Sequence, residues 1–359
     1  MTVSQTKKNL SIETLRGVAI ILMVLGHVIG SSSNNGLKVA DDSVWRWSYY
    51  ALQYIRMPLF TVISGFVYAY KPATRFNSNS TFLWGKVNRL LIPLVVVSSL
   101  FFFLQYITPG TNSKSELSEI WKIYLFPYAV FWFLQGMMIV FIIVTILENF
   151  NLLNRLSSAL MCFIIAALIF VLLPFKLSFF SLTRVPFLLT FFLFGLLLKR
   201  FYDSVFKGAF IGIAAIIFLL AFGYQIFVFN TTVSRQLINL LTLCVGCSAC
   251  ILLIRLGFQN KKLTWLGDFS YAIYLFHIFG AVTGRILVGK LGINNLTVQI
   301  IVELAFGVSF PVMLRLLCGS NRTLTVLFFG DKIRATAIAK PVSGLKSPGG
   351  LFNKRTISN

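Results

Sequence analysis

The chain has 359 residues, 57% of them hydrophobic and 12% charged, with a mean hydropathy of +0.83. Soluble domains carry about 25% charged and about 45–50% apolar residues, so a soluble enzyme, a disordered chain and a secreted domain are excluded. The net charge of +22 invites comparison with nucleic-acid binders. Here, however, the basic residues lie in short stretches between long apolar runs, the pattern that sets membrane orientation. No nucleic-acid partner is expected.

Crossing a bilayer as a helix takes about 20 apolar residues. Runs of that kind fall near 12–30, 51–70, 88–106, 128–147, 157–173, 184–198, 208–228, 237–256, 270–288 and 296–317. The chain is read as an all-α integral membrane protein with about ten transmembrane helices. The fifth and sixth runs are short and could be re-entrant. The first run ends at Gly30 and a polar loop with no small-residue cleavage site, so it reads as a retained span. With the N-terminus inside, 22 of the 32 Lys and Arg residues fall on the inner side, which places both termini in the cytoplasm. Residues 1–330 read as one domain of a multi-pass protein of the cell (inner) membrane. Residues 331–359, basic and bearing Gly, Pro and Ser, read as a flexible cytoplasmic tail.

The five cysteines form no disulfide framework. Cys244, Cys247 and Cys250 have a metal-like spacing, yet no His or carboxylate is near in sequence. They read as small polarisable residues at a helix contact with Gly246, and no metal is expected.

Ionisable residues at membrane depth are costly and point to function. Both histidines lie in spans. His27 follows Arg16 by eleven residues, which returns the chain to within about 20° of the same helix face and about 16 Å along the axis. One ligand could reach from one to the other; alternatively, Arg16 snorkels to headgroups and His27 bonds a neighbouring helix. His277 lies about 10 Å into the ninth span and reads as a packed histidine beside Tyr271 or Tyr274. Glu303 and Arg285 come out at about the same depth as His27, roughly 10 Å below the outer surface. They are expected to pair across neighbouring helices and help wall an acceptor pocket, to which Trp132 also contributes as a packing or substrate-wall residue. Ser64 and Gly65 read as small-residue packing points. Asp41, Asp42, Trp45, Trp47, Tyr49 and Tyr50 share one outer loop; they suit sugar recognition and equally an interfacial aromatic belt.

Several segments resemble a known family in its order. SIETLRGVAIILMVLGHVIG (11–30) resembles the opening helix of the membrane-bound acyltransferase 3 family, with Arg, ten residues, then His. MPLFTVISGFVYA (57–69) resembles its second-helix motif and KVNRLLIPL (86–94) its basic stretch before the third helix. FWFL (131–134) and SYAIYLFH (270–277) resemble later segments. The branch that looks most similar is that of the fucose 4-O-acetylase-like exopolysaccharide O-acetyltransferases.

That resemblance implies a membrane O-acyltransferase that moves an acyl group, acetyl by expectation, from cytoplasmic acyl-CoA to a hydroxyl of a sugar, polysaccharide or glycolipid. His27 would be general base or transient acyl carrier. Arg16, Lys86 and Arg89 would hold the donor phosphates; headgroup anchoring is the alternative for Lys86 and Arg89. Acetyl-CoA would be a donor substrate, with no permanently bound cofactor. The bilayer and polysaccharide-biosynthesis proteins would be further partners. The family's basic motif commonly has Arg where this chain has Lys86, which keeps the charge but loses the bidentate fork. Many relatives also carry a fused extracytoplasmic hydrolase-like domain, absent here, so the acceptor is expected to reach the membrane core directly or through a separate partner. A glycolipid or polysaccharide flippase, with Arg and His lining a pathway, is the competing class.

Overall fold

The structure, a computed structural model, describes residues 9–108, 116–205 and 208–331. Among these the chain is helical, with no strand. In order, the helices are α1 (Leu10–Ile29), α2 (Val44–Tyr68), α3 (Asn79–Ile107), α4 (Lys122–Leu125), α5 (Trp132–Asn149), α6 (Leu156–Leu172) and α7 (Val185–Arg200). Then follow α8 (Tyr202–Val205), α9 (Gly208–Phe227), α10 (Arg235–Leu256), α11 (Lys261–Asp268), α12 (Ser270–Lys290), α13 (Leu296–Cys318) and α14 (Arg322–Phe329).

Each of the ten apolar runs lies on a helix, and eight helical segments among the described residues are long and apolar enough to cross a membrane. The two others are α2, whose 25 residues include Arg46, Gln53 and Arg56, and α6, with 17 residues. The short sixth run reaches spanning length because the 3₁₀ turn Phe179–Arg184 leads directly into α7. Helices α2 and α3 begin well before their apolar runs. Ser43 and Ser78 cap them, accepting from the amides of Arg46 and Thr81, and so satisfy amide groups that would otherwise be orphaned. An apolar run marks the part of a helix that suits lipid; a cap marks where the helix starts.

Contacts between helix ends sort into two sets, as alternating helix directions require. At one end Ser11 donates to the carbonyl of Gly257, Asn79 donates to Asn149, and Arg200 donates to the carbonyl of Leu153. At the other, Gln225 donates to the carbonyl of Tyr50 and Asn239 to that of Phe170. The expected tail 331–359 lies outside the described residues apart from Asp331, whose carboxylate accepts from Arg315 at 2.7 Å.

Lipid supplies no hydrophobic drive between helices, so close packing at small residues holds them together. Helices α2 and α7 show this reciprocally. A Cβ added to Gly65 would lie 1.9 Å from the carbonyl oxygen of Phe192, and one added to Gly195 would lie 1.9 Å from that of Val62. Gly246, in the cysteine-bearing stretch of α10, packs on Pro58 and Phe191. Gly65→Leu should therefore lower stability sharply, by more than the about 1–3 kcal/mol usual for overpacking, whereas Gly212→Leu, with nothing within 4 Å, should be nearly neutral. Thermal unfolding of the two variants in detergent checks this; equal melting temperatures would contradict the contact.

Candidate active site

Helix α1 is an enclosed helix of the bundle, packed against α2, α10, α11, α12 and α13. From Ile20 to Ile29 its residues are buried or half-buried, with one exception, His27, which is exposed. An exposed side chain on an enclosed stretch opens on to space inside the protein. The loop after α1 folds back over that end: Leu37 donates its amide to Val28, and Arg46, buried, donates to the carbonyls of Gly30 and Val39.

The ring of His277, from α12, lies 5.1 Å from that of His27, centroid to centroid, at 41°. His277 is fully buried. Its Nδ1 faces the carbonyl oxygens of Ile273 (3.1 Å) and Tyr274 (2.9 Å), which only accept, so Nδ1 carries a proton and donates. The neutral ring then presents Nε2 as an acceptor. That atom is buried and has no hydrogen-bond partner. Next to Nε2 the one imidazole within ring contact is His27.

A third group enters from α2. The guanidinium of Arg56 lies 4.0 Å above the ring of Tyr49, one residue that the sequence left between sugar recognition and an aromatic belt. It presses against the backbone of α1 at Gly26, where a Cβ would come within 1.8 Å of Arg56 Nη1. Glycine at 26 is what lets the cation lie against α1 next to His27. Arg56 forms no ion pair with any carboxylate of the described residues. Thus α1, α2 and α12 bring two imidazoles and a guanidinium to one place.

The other residues singled out in the sequence distribute differently. Arg16 Nη1 donates to Glu13 Oε2 at 2.8 Å on its own helix. The Arg89 guanidinium faces the Tyr271 ring at 5.0 Å, and the Tyr271 hydroxyl donates to the Arg89 carbonyl. Lys86 Nζ lies 3.9 Å from the Phe141 ring centre, towards α5. Each of the three cations thus contacts a different helix: Arg16 its own α1, Arg89 α12 and Lys86 α5. Trp132 faces Arg184 at 5.6 Å, beside a cavity of about 400 Å³ lined by Arg184, Arg235, Asn239 and Thr242, and makes no ring contact with His27. Of the outer loop, Asp41 pairs with Arg46 at 3.2 Å.

Arg285 and Glu303 form a bidentate pair between α12 and α13. Nε donates to Oε1 and Nη2 to Oε2, both at 2.8 Å, and Glu303 is fully buried. One turn along α13, Gly307 packs against Val24 and against the backbone of His277. The pair thus braces the α12–α13 contact behind the imidazoles, without touching His27 itself.

His277 is packed and hydrogen-bonded beside Tyr274, as the sequence suggested; what the sequence did not show is its contact with His27, and Arg56 was not singled out. A signal for Arg56 existed, since it is a charge inside an apolar run, adjoining the 57–69 motif.

A polytopic helical bundle with a histidine site inside it defines a class of membrane enzyme. Residues 9–316 match the model of the Acyl_transf_3 family, described as an acyltransferase domain. The chain belongs to that family and is a multi-pass membrane acyltransferase. No curated protein and no solved structure matches it.

Removing one member of a buried ion pair costs about 3–5 kcal/mol because the other is stranded. Glu303→Gln should therefore destabilise the protein more than the double change Glu303→Gln with Arg285→Gln. Melting temperatures in nanodiscs decide it; additive losses would show that the two side chains act separately.

Proposed function

We propose that this acyltransferase moves an acetyl group from acetyl-CoA to a hydroxyl of a sugar or glycan, with His27 as general base. The observation that carries the reading is the placement of His27: it is the one exposed side chain in the enclosed half of α1, its ring set against a second imidazole. A hydroxyl entering that space would lose its proton to His27 as its oxygen bonds to the thioester carbonyl carbon. The C–S bond then breaks, and the thiolate takes the proton back from His27. Transfer of the proton by a positioned imidazole contributes about 10²–10⁴-fold. His277, its Nδ1 tied to its own helix backbone, acts as a positioning residue that offers His27 an acceptor at Nε2.

Orientation supports the donor side. Under the positive-inside rule the end of the bundle holding the N-terminus faces the cytoplasm, where acetyl-CoA is available. Arg16 near the start of α1 and Lys86 and Arg89 in the first half of α3 lie towards that end and would hold the donor phosphates. Arg89, with its guanidinium face on Tyr271, is the strongest of the three. The acceptor enters from the opposite end, where Trp132 and the Arg285–Glu303 pair lie. The activity belongs to the exopolysaccharide or glycolipid O-acetylation class, in which biosynthetic proteins deliver the acceptor.

Purified protein incubated with radiolabelled acetyl-CoA and a panel of glycans tests the reading. Transfer of label to a glycan supports it; movement of glycan across a vesicle membrane with no transfer favours a flippase. His27→Ala should lower transfer by at least about 100-fold with membrane insertion unchanged, and near-normal turnover would remove His27 from the role. In calorimetric titration Arg89→Ala and Arg16→Ala should each weaken CoA binding and leave glycan binding in place. Unchanged CoA affinity in both would leave these cations as headgroup anchors.

A further inference from the structure

An arginine inside a membrane protein is costly unless its charge is answered. The protein shows how it meets that cost elsewhere. Glu148, fully buried, accepts from Arg200 at 2.5 and 3.3 Å and from the Tyr68 hydroxyl at 3.3 Å. Glu303 answers Arg285 in the same way. Arg56 departs from the rule. It has an aromatic face on one side, the bare backbone of Gly26 on another, and no carboxylate partner among the described residues. Its position next to His27 is made possible by the missing side chain at 26. A cation kept without a carboxylate partner among the described residues, packed on Gly26 beside His27, is arranged for a negative charge that arrives with the reaction.

We infer that Arg56 is a catalytic residue that holds the carbonyl oxygen of the acyl thioester and carries its negative charge in the tetrahedral intermediate. The inference rests on the acyl-transfer reading above. As the acceptor oxygen bonds to the carbonyl carbon and its proton passes to His27, the C=O π pair moves on to oxygen. An N–H of Arg56 then faces a full negative charge in place of a dipole. When the pair returns, the C–S bond breaks and the charge leaves with the thiolate, which is protonated by His27. A donor preset at the site of charge development costs no reorganisation during reaction and strengthens where water is excluded. The cation–π contact with Tyr49 fixes the guanidinium in place without neutralising it. An acid partner, by contrast, would have cancelled the charge before the oxyanion formed.

The test needs no acceptor. Full-length protein in nanodiscs is loaded with acetyl-CoA labelled with ¹³C at the thioester carbonyl, and the carbonyl stretch is read by isotope-edited infrared difference spectroscopy, with donor affinity measured in parallel. The wild-type band should lie at lower wavenumber than that of acetyl-CoA in water. Arg56→Met should return it to the solution value with Kd for acetyl-CoA changed less than about threefold, and Arg56→Lys should keep part of the shift. His27→Ala should retain the full shift, since His27 handles the proton and not the carbonyl. With a glycan acceptor from the panel above, Arg56→Met should lower kcat by about 10²–10³-fold, the scale for loss of one oxyanion donor. An unshifted wild-type band, or a shifted one that survives Arg56→Met, overturns the inference and leaves acyl transfer by His27 standing. Failure of wild-type protein to bind acetyl-CoA at all overturns the donor reading, and this inference with it. A loss in Arg56→Met that appears only in the KM for a charged acceptor would instead assign Arg56 to that acceptor's anionic group, and would also overturn it.

Discussion

Everything about the site depends on the enclosure of α1. A helix in lipid can satisfy its backbone internally, but a polar side chain at depth needs either a partner or an internal space. Five helices pack on α1, and within its buried second half His27 is the exposed side chain. Close helix approach makes this possible. Gly17 packs on the Leu263 carbonyl and Gly267 on that of Glu13, so α11 clamps the start of α1. Gly280 packs on the Phe306 carbonyl and Gly307 on Val24, which draws α12 and α13 together against the middle of α1. A larger side chain at any of these positions would separate the helices and part the two imidazoles.

The buried carboxylates of the described residues each answer an arginine, and Arg56 has no such partner among them. Glu13, Glu148 and Glu303 each pair with an arginine, Glu13 within α1 and the other two across helix contacts, α5–α7 and α12–α13. Arg56 lies beside His27. The same arrangement explains why Trp132 and His277 exchange the importance that the sequence suggested. Trp132 turns towards Arg184, whereas Phe133 beside it faces Phe60 and Tyr274.

Hydropathy made the helical membrane architecture legible, because burial in lipid demands continuous apolar runs. It read helix ends less well: the starts of α2 and α3 are set by Ser43 and Ser78, which an apolar count ignores. His27 could be found because a histidine in a span is conspicuous, and the Arg285–Glu303 geometry because matching depths on consecutive helices limit where partners can be. The contact of His27 with His277 was not legible. It joins residues 27 and 277, and helix order in a chain does not state which helices touch. Arg56 was hidden for another reason. Its role depends on Gly26, and a glycine's significance in a helix lies in what approaches it, which only three dimensions show.

An experimental structure of the protein with a non-hydrolysable acetyl-CoA analogue tests the account most directly. The analogue's carbonyl should lie within hydrogen-bond reach of Arg56, with its carbon next to His27. The two imidazoles should remain in contact, near the present 5.1 Å, and the nucleotide should lie towards the end of the bundle that holds Arg16 and Arg89. An analogue bound with its carbonyl away from His27, or on the opposite end of the bundle, would contradict it.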